Sequence, residues 1–131
     1  MAKYDIFGLG NALMDVQAFV EDKTLDKLGI KKGIMTLIDD KKSLEILNFI
    51  SERKPYSLPG GSTANTVRTM AMLGGNPVYT GVVADDLYGR LYVSKISESG
   101  VKSLIKTKNN GITGTAIILT TPDAERTRSE E

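Results

Sequence analysis

The sequence predicts an α/β fold: a main sheet with parallel strand pairs and packed helices, and beside it a second, smaller sheet. Three observations predict it. Helical stretches alternate with apolar, β-branched stretches, the order that produces parallel pairs. The helices open on Asp or Ser and close on glycine or proline. Four further extended stretches, near 14–20, 34–38, 101–105 and 114–121, do not fit that alternation and need a sheet of their own.

Residues 4–10, YDIFGLG, read as a short buried strand ending in glycines. From 14 to 20, Met14, Val16, Ala18 and Val20 alternate with Asp15, Gln17 and Phe19, the pattern of a strand with one wet face. Residues 24–28 make one or two helical turns before Gly29, and IMTLI (34–38) is a strand. Asp39 or Asp40 caps a helix through 41–53, with Ile46, Leu47 and Ile50 on one face and Pro55 as its stop. YSL (56–58) is extended. Ser62 caps the next helix, to about Leu73, whose apolar stripe is Ala64, Val67, Met70 and Ala71 and whose stop is Gly74-Gly75. PVYTGVVA (77–84) reads as one β-branched strand, followed by a helix from Asp85 or Asp86 to about Ser99. VKSLI (101–105) is extended, NNG (109–111) turns, and GTAIILTT (114–121) is the clearest strand. The closing DAERTRSEE is polar, charged and expected to fray.

The 131 residues suffice for one domain with a core and not for two ordinary ones. Hydrophobic residues make up 40% and charged residues 25%, as in soluble globular proteins. Seventeen Lys and Arg against sixteen Asp and Glu leave a net charge of +1, which argues against a nucleic-acid partner. The absence of Cys excludes disulfides, thiol catalysis and thiolate metal sites. The absence of His removes the usual general base and the commonest metal ligand. No apolar run approaches the ~20 residues of a membrane span, so no membrane partner is expected. MAKYDIFGLG does not read as a signal peptide, and a cytoplasmic location is expected.

Three segments carry chemistry. In PGGSTANTVRTMAMLGG (59–75), two glycines precede a helix whose first N–H groups lack intrahelical partners. With Asn65 one turn in, the corner suits hydroxyls or an anion; a plain tight turn into a helix explains the same residues about as well. In GLGNALMD (8–15), Asn11 and Asp15 follow a strand, the end at which open α/β sheets bind ligands. Asp15 can accept from two vicinal hydroxyls; alternatively both residues satisfy turn backbone. The Gly8-x-Gly10 pair lacks the third glycine and immediate helix of a dinucleotide motif. In GVVADDLYG (81–89), Asp85 and Asp86 read as helix caps, with no further ligands to support a metal. The scattered tyrosines read as packing.

Taken together, GNALMD, GGSTAN, GVVADDLYG and TGTAIIL occur in the order and approximate spacing of the PfkB family of carbohydrate and nucleoside kinases, which this chain resembles from Tyr4 to about Thr127. It looks closest to the adenosine-kinase-like members. The resemblance implies a ribokinase-like α/β fold, the N-terminal part of a parallel-sheet sandwich domain with a small β-sheet lid. The four extra extended stretches would be lid strands. It implies that Asn11, Asp15, Gly61 and Asn65 bind sugar hydroxyls, that Gly60 and Ser62 shape the pocket, and that Leu13, Met35, Leu37 and Ala116 line an apolar wall. The substrate would be a small sugar or nucleoside, phosphorylated on a primary hydroxyl. The family's catalytic Asp lies in a Gly-Ala-Gly-Asp segment that does not occur here, and the ATP and Mg²⁺ sites lie with it. The resemblance therefore implies an acceptor-binding part without catalytic machinery, inactive alone. With a sheet edge and face left uncovered, it also implies a homodimer through the lid strands or the exposed sheet.

Overall fold

The computed structural model describes residues 2–130. In chain order its strands and helices are β1 (Ile6–Leu9), β2 (Leu13–Phe19), α1 (Asp22–Leu28), β3 (Met35–Leu37), α2 (Asp40–Ile50), β4 (Tyr56–Gly60), α3 (Ser62–Met72), β5 (Pro77–Thr80), β6 (Val82–Ala84), α4 (Leu87–Glu98), β7 (Lys102–Ser103), β8 (Lys106–Lys108), β9 (Thr115–Thr120) and β10 (Arg126–Glu130). A 3₁₀ turn, Ser51–Arg53, extends α2. The strands form three sheets, ordered β1-β5-β7, β3-β10-β9-β2-β4 and β6-β8. The chain divides into two compact units, Met1–Met14 with Leu58–Gly114, and Asp15–Ser57 with Thr115–Glu131.

The first unit holds the parallel sheet, with β1 and β7 both running alongside β5. Helix α3 packs on β1 and β5, burying Ala64 and Val67. Its length follows from its sequence: two glycines admit it, and Gly74 at φ 88 ends it. Helix α4 buries Tyr92 and Ile96. Asp86 caps it by accepting from Gly89 N–H at 2.7 Å, and also accepts from the Thr113 N–H and hydroxyl at 2.8 and 2.7 Å. Partial burial pushes the Asp86 carboxyl up, but those three bonds and Arg90 outweigh it and leave it below the usual carboxylate range.

In the second unit α2 lies against β9, where the Ser43 and Thr115 hydroxyls bond at 2.9 Å in the buried interior. Asp39 caps α2 through Lys42 N–H, and Gly29 at φ 66 closes α1. Val16, Ala18, Ile46, Ile50, Ile117 and Leu119 supply much of the core. Lys32 joins Asp22 to Asp123, tying α1 to the loop before β10.

Five expectations need correction. Strand β1 is not buried: Phe7 is 60% and Leu9 73% exposed, because only the Gly8 side faces α3. Ser62 does not cap α3; Gly61 occupies that position and gives no side-chain bond. The run 77–84 is two strands in two sheets, broken at Gly81, where a Cβ would stand 2.7 Å from the Gly10 carbonyl. Lys102–Ser103 pair with β5 in the parallel sheet and not with the other extra stretches. The closing segment does not fray over its described residues. Residues 126–130 form β10, inserted between β3 and β9, with Thr127 and Ser129 buried. Thr127 also accepts from the Gly33 N–H at 3.0 Å.

Candidate functional site

In the first unit the predicted residues converge on the carboxyl end of β1. Gly8 and Gly10 let α3 approach that strand: a Cβ on either would lie 2.7–2.9 Å from Val67 or Thr63 side-chain atoms. Gly61 turns the chain into α3 at φ 90, and a Cβ there would meet the Asn11 carbonyl at 2.8 Å. Two buried tyrosines hold the glycine segments from beneath. The Tyr92 hydroxyl donates to Gly60 O at 3.0 Å, the Tyr79 hydroxyl to Gly10 O at 3.3 Å, and the two hydroxyls stand 3.3 Å apart. Burial pushes the Tyr79 phenol up, with the bond to Tyr92 opposing, so it stays a neutral donor. Arg68 adds a bond to the Pro59 carbonyl.

The result is a corner with unspent hydrogen-bonding capacity. Asn65 N–H closes the first helical bond, to Gly61 O at 3.0 Å, and no side chain caps the N–H groups before it. Asn11, Ser62 and Asn65 are exposed, and the Asn11 and Asn65 amides bond to no other described residue. Leu13 is half-buried against Gly114. An open groove of ≈ 420 Å³ runs along α3, lined by Asn65, Thr66, Thr69, Met70 and Leu73. Of the predicted residues only Asn65 reaches it.

In the second unit the other predicted residues share one sheet face. Met14 N–H donates to Gly114 O at 2.9 Å and Val20 N–H to Thr120 O at 3.0 Å. The constant offset makes β2 and β9 parallel and sets Asp15 level with Ala116. Ala116 stands opposite Glu130, which stands opposite Leu37. Asp15, Ala116, Glu130 and Leu37 thus form one row, and residues in a row point the same way. Met35 belongs to the adjacent row, opposite Arg128, and the Arg128 guanidinium pairs with Glu130 at 3.0 Å. α2 covers the opposite face, through Thr115.

Asp15 has the most unusual environment. Its Oδ1 is buried without a hydrogen-bond partner; among described residues only the Ser129 hydroxyl shares that condition. Burial pushes the Asp15 carboxyl up; Arg128 opposes and Glu130 adds to the rise. A buried carboxylate oxygen left unpaired costs about 1–3 kcal/mol or more, so folding alone gives no reason to keep it. Among described residues no group of three or more His, Cys, Asp or Glu could hold a metal ion. No helix among them is long and apolar enough to cross a membrane.

Sequence reasoning missed Tyr79, Tyr92, Gly81, Arg128 and Glu130. Only period-two spacing of Thr127 and Ser129 signalled the last two, and small polar residues hide that signal.

One unit carries a glycine corner at the carboxyl end of a parallel sheet and the other an acid on a mixed sheet, an α/β architecture that comparison with known proteins places. Residues 22–129 match the model of the pfkB family of carbohydrate kinases, and the chain belongs to that family. It is similar to the adenosine kinase of Saccharomyces cerevisiae, 33% identical over 119 residues, covering 86% of this chain and 35% of that protein. Among solved structures it is similar to the adenosine kinase of Sinorhizobium meliloti, with TM-score 0.78 and 36% identity, covering 98% of this chain and 39% of that one. The adenosine kinase of Trypanosoma brucei brucei gives TM-score 0.85 at 25% identity, covering 100% and 41%. The fold is therefore the ribokinase-like α/β fold of these kinases, and the chain spans little more than a third of their length.

Proposed function

We propose that this chain is the N-terminal, acceptor-binding part of an ATP-dependent kinase that phosphorylates a primary hydroxyl of a nucleoside or sugar, adenosine being the leading candidate. The observation that carries this reading is the unpartnered, buried oxygen of Asp15. A ligand hydroxyl would supply the missing donor. Similarity to adenosine kinases supports the substrate class.

Asn11, Gly61 and Asn65 hold acceptor hydroxyls with backbone and amide groups, in a corner shaped by Gly60 and Ser62 and flanked by Leu13. Asp15 takes hydroxyls through its carboxylate. Met35, Leu37 and Ala116 offer an apolar wall for the aglycone. β2, β3 and β9 act as lid strands. These residues bind and orient the hydroxyl that receives phosphate. They hold no Gly-Ala-Gly-Asp segment. ATP and Mg²⁺ belong to the rest of the kinase, so the 131 residues alone transfer no phosphate.

Saturation-transfer NMR with adenosine or ribose tests the reading. Transfer to the ribose protons is expected, and Asp15→Asn should abolish it; no transfer at millimolar ligand would sink the acceptor site. Incubation with ATP, Mg²⁺ and adenosine should give no AMP, and AMP formation by the purified chain would overturn the inactivity. The exposed Phe7, Leu9, Met35 and Leu37 also support self-association into a homodimer. Light scattering at working concentration should then report twice the chain mass, and a monomer would contradict it.

A further inference from the structure

The row containing Asp15 carries more acid than acceptor hydroxyls require. Glu130 stands opposite both Leu37 and Ala116, and Ala116 stands level with Asp15. The two side chains therefore face one side, their backbone positions two strand spacings or about 10 Å apart. Only the Ala116 methyl lies between them in the row. Glu130 is also fixed: its Oε2 pairs with Arg128 Nη2 at 3.0 Å, and its side chain is 28% exposed. Oε1 has no partner among the described residues. The guanidinium thus positions the carboxylate and leaves one oxygen free to accept.

We propose that Glu130 is a specificity-determining residue: its free oxygen accepts a hydrogen bond from an amino group on an acceptor whose hydroxyls sit at Asp15. The inference rests on the acceptor-binding reading above. A carboxylate only accepts. It favours an exocyclic –NH₂ and opposes a carbonyl at the same place, lone pair against lone pair. The spacing suits a ligand longer than one sugar ring, with a heterocycle lying against the exposed Leu37. The class selected is an amino-bearing nucleoside.

Calorimetric titration of the 131-residue chain with adenosine, inosine and ribose tests this. Inosine presents a carbonyl where adenosine presents its amino group. Adenosine should bind at least tenfold tighter than inosine, the scale of one bond to a charged acceptor. Glu130→Gln should narrow that ratio below threefold and leave ribose binding unchanged. A ligand-side measurement needs no variant: N6,N6-dimethyladenosine, which has no N–H to donate, should bind about tenfold more weakly than adenosine. If ribose binds but the three nucleosides bind alike, or the preference survives in the variant, this inference alone is overturned. If neither ribose nor adenosine binds, the acceptor-site reading falls and takes this inference with it.

Discussion

The glycine corner and the acidic row solve the same problem with different materials. The corner is made of backbone: Gly8, Gly10, Gly61 and Gly81 remove side chains so that strand ends and a helix terminus can meet, and two tyrosine hydroxyls brace them. The row is made of side chains held by strand register, and Asp15 Oδ1 in it is left buried and unpaired. A backbone site costs little once the chain is folded, because its donors are loose ends that any helix has. A side-chain site keeps a destabilised charge. Substitutions should therefore act with opposite sign on stability in the two regions.

The largest effect is expected at the corner. Gly61→Ala forces a side chain into φ 90 and against the Asn11 carbonyl. It should lower stability in urea by about 2–3 kcal/mol; a loss under 0.5 kcal/mol would mean the turn is not needed. Tyr92→Phe comes next. It strips the hydroxyl from the buried Gly60 carbonyl, and unfolding should weaken by about 1–2 kcal/mol.

Asp15→Asn should do the reverse. Its folded carboxyl lies above the ordinary value of 3.8, chiefly through burial. The folded state thus binds the proton more readily than the unfolded state. The stabilisation from that proton is complete below the unfolded pKa of 3.8 and is lost as pH rises through the folded value. At neutral pH the ionised group is a burden that the amide removes. The variant's melting temperature should rise by about 2 °C at pH 7, and the gain should vanish near pH 3. A lower melting temperature at pH 7 would show that Asp15 is structural. Asp86 behaves in the opposite sense and with smaller consequence. Held below its ordinary value, it adds stability above pH 3.8 that fades as pH falls through its folded value, and Asp86→Asn should flatten that acid limb.

The same contrast explains what was legible in the sequence. The glycines of the corner are plain ahead of a helical stripe, although a tight turn alone accounts for them equally well, and α1 ends at Gly29 and α4 begins at its Asp86 cap as their sequence dictates. The row does not. Asp15, Leu37 and Ala116 lie far apart in the chain, and only resemblance to a family groups them; the register of four strands is a property of the folded sheet. Strand β10 was hidden because its buried positions are Thr127 and Ser129, so its period-two pattern runs in polarity too weak to see. The break at Gly81 was hidden inside a continuous β-branched run, because its cause is the distant Gly10 carbonyl.

Whether this chain holds a kinase acceptor is tested most directly by titrating adenosine and ribose into it and into Asp15→Asn by calorimetry at neutral pH. Saturable binding to the natural sequence, at least tenfold weaker in the more stable variant, is the predicted result. Absence of binding at millimolar ligand, or equal binding by both proteins, would contradict it.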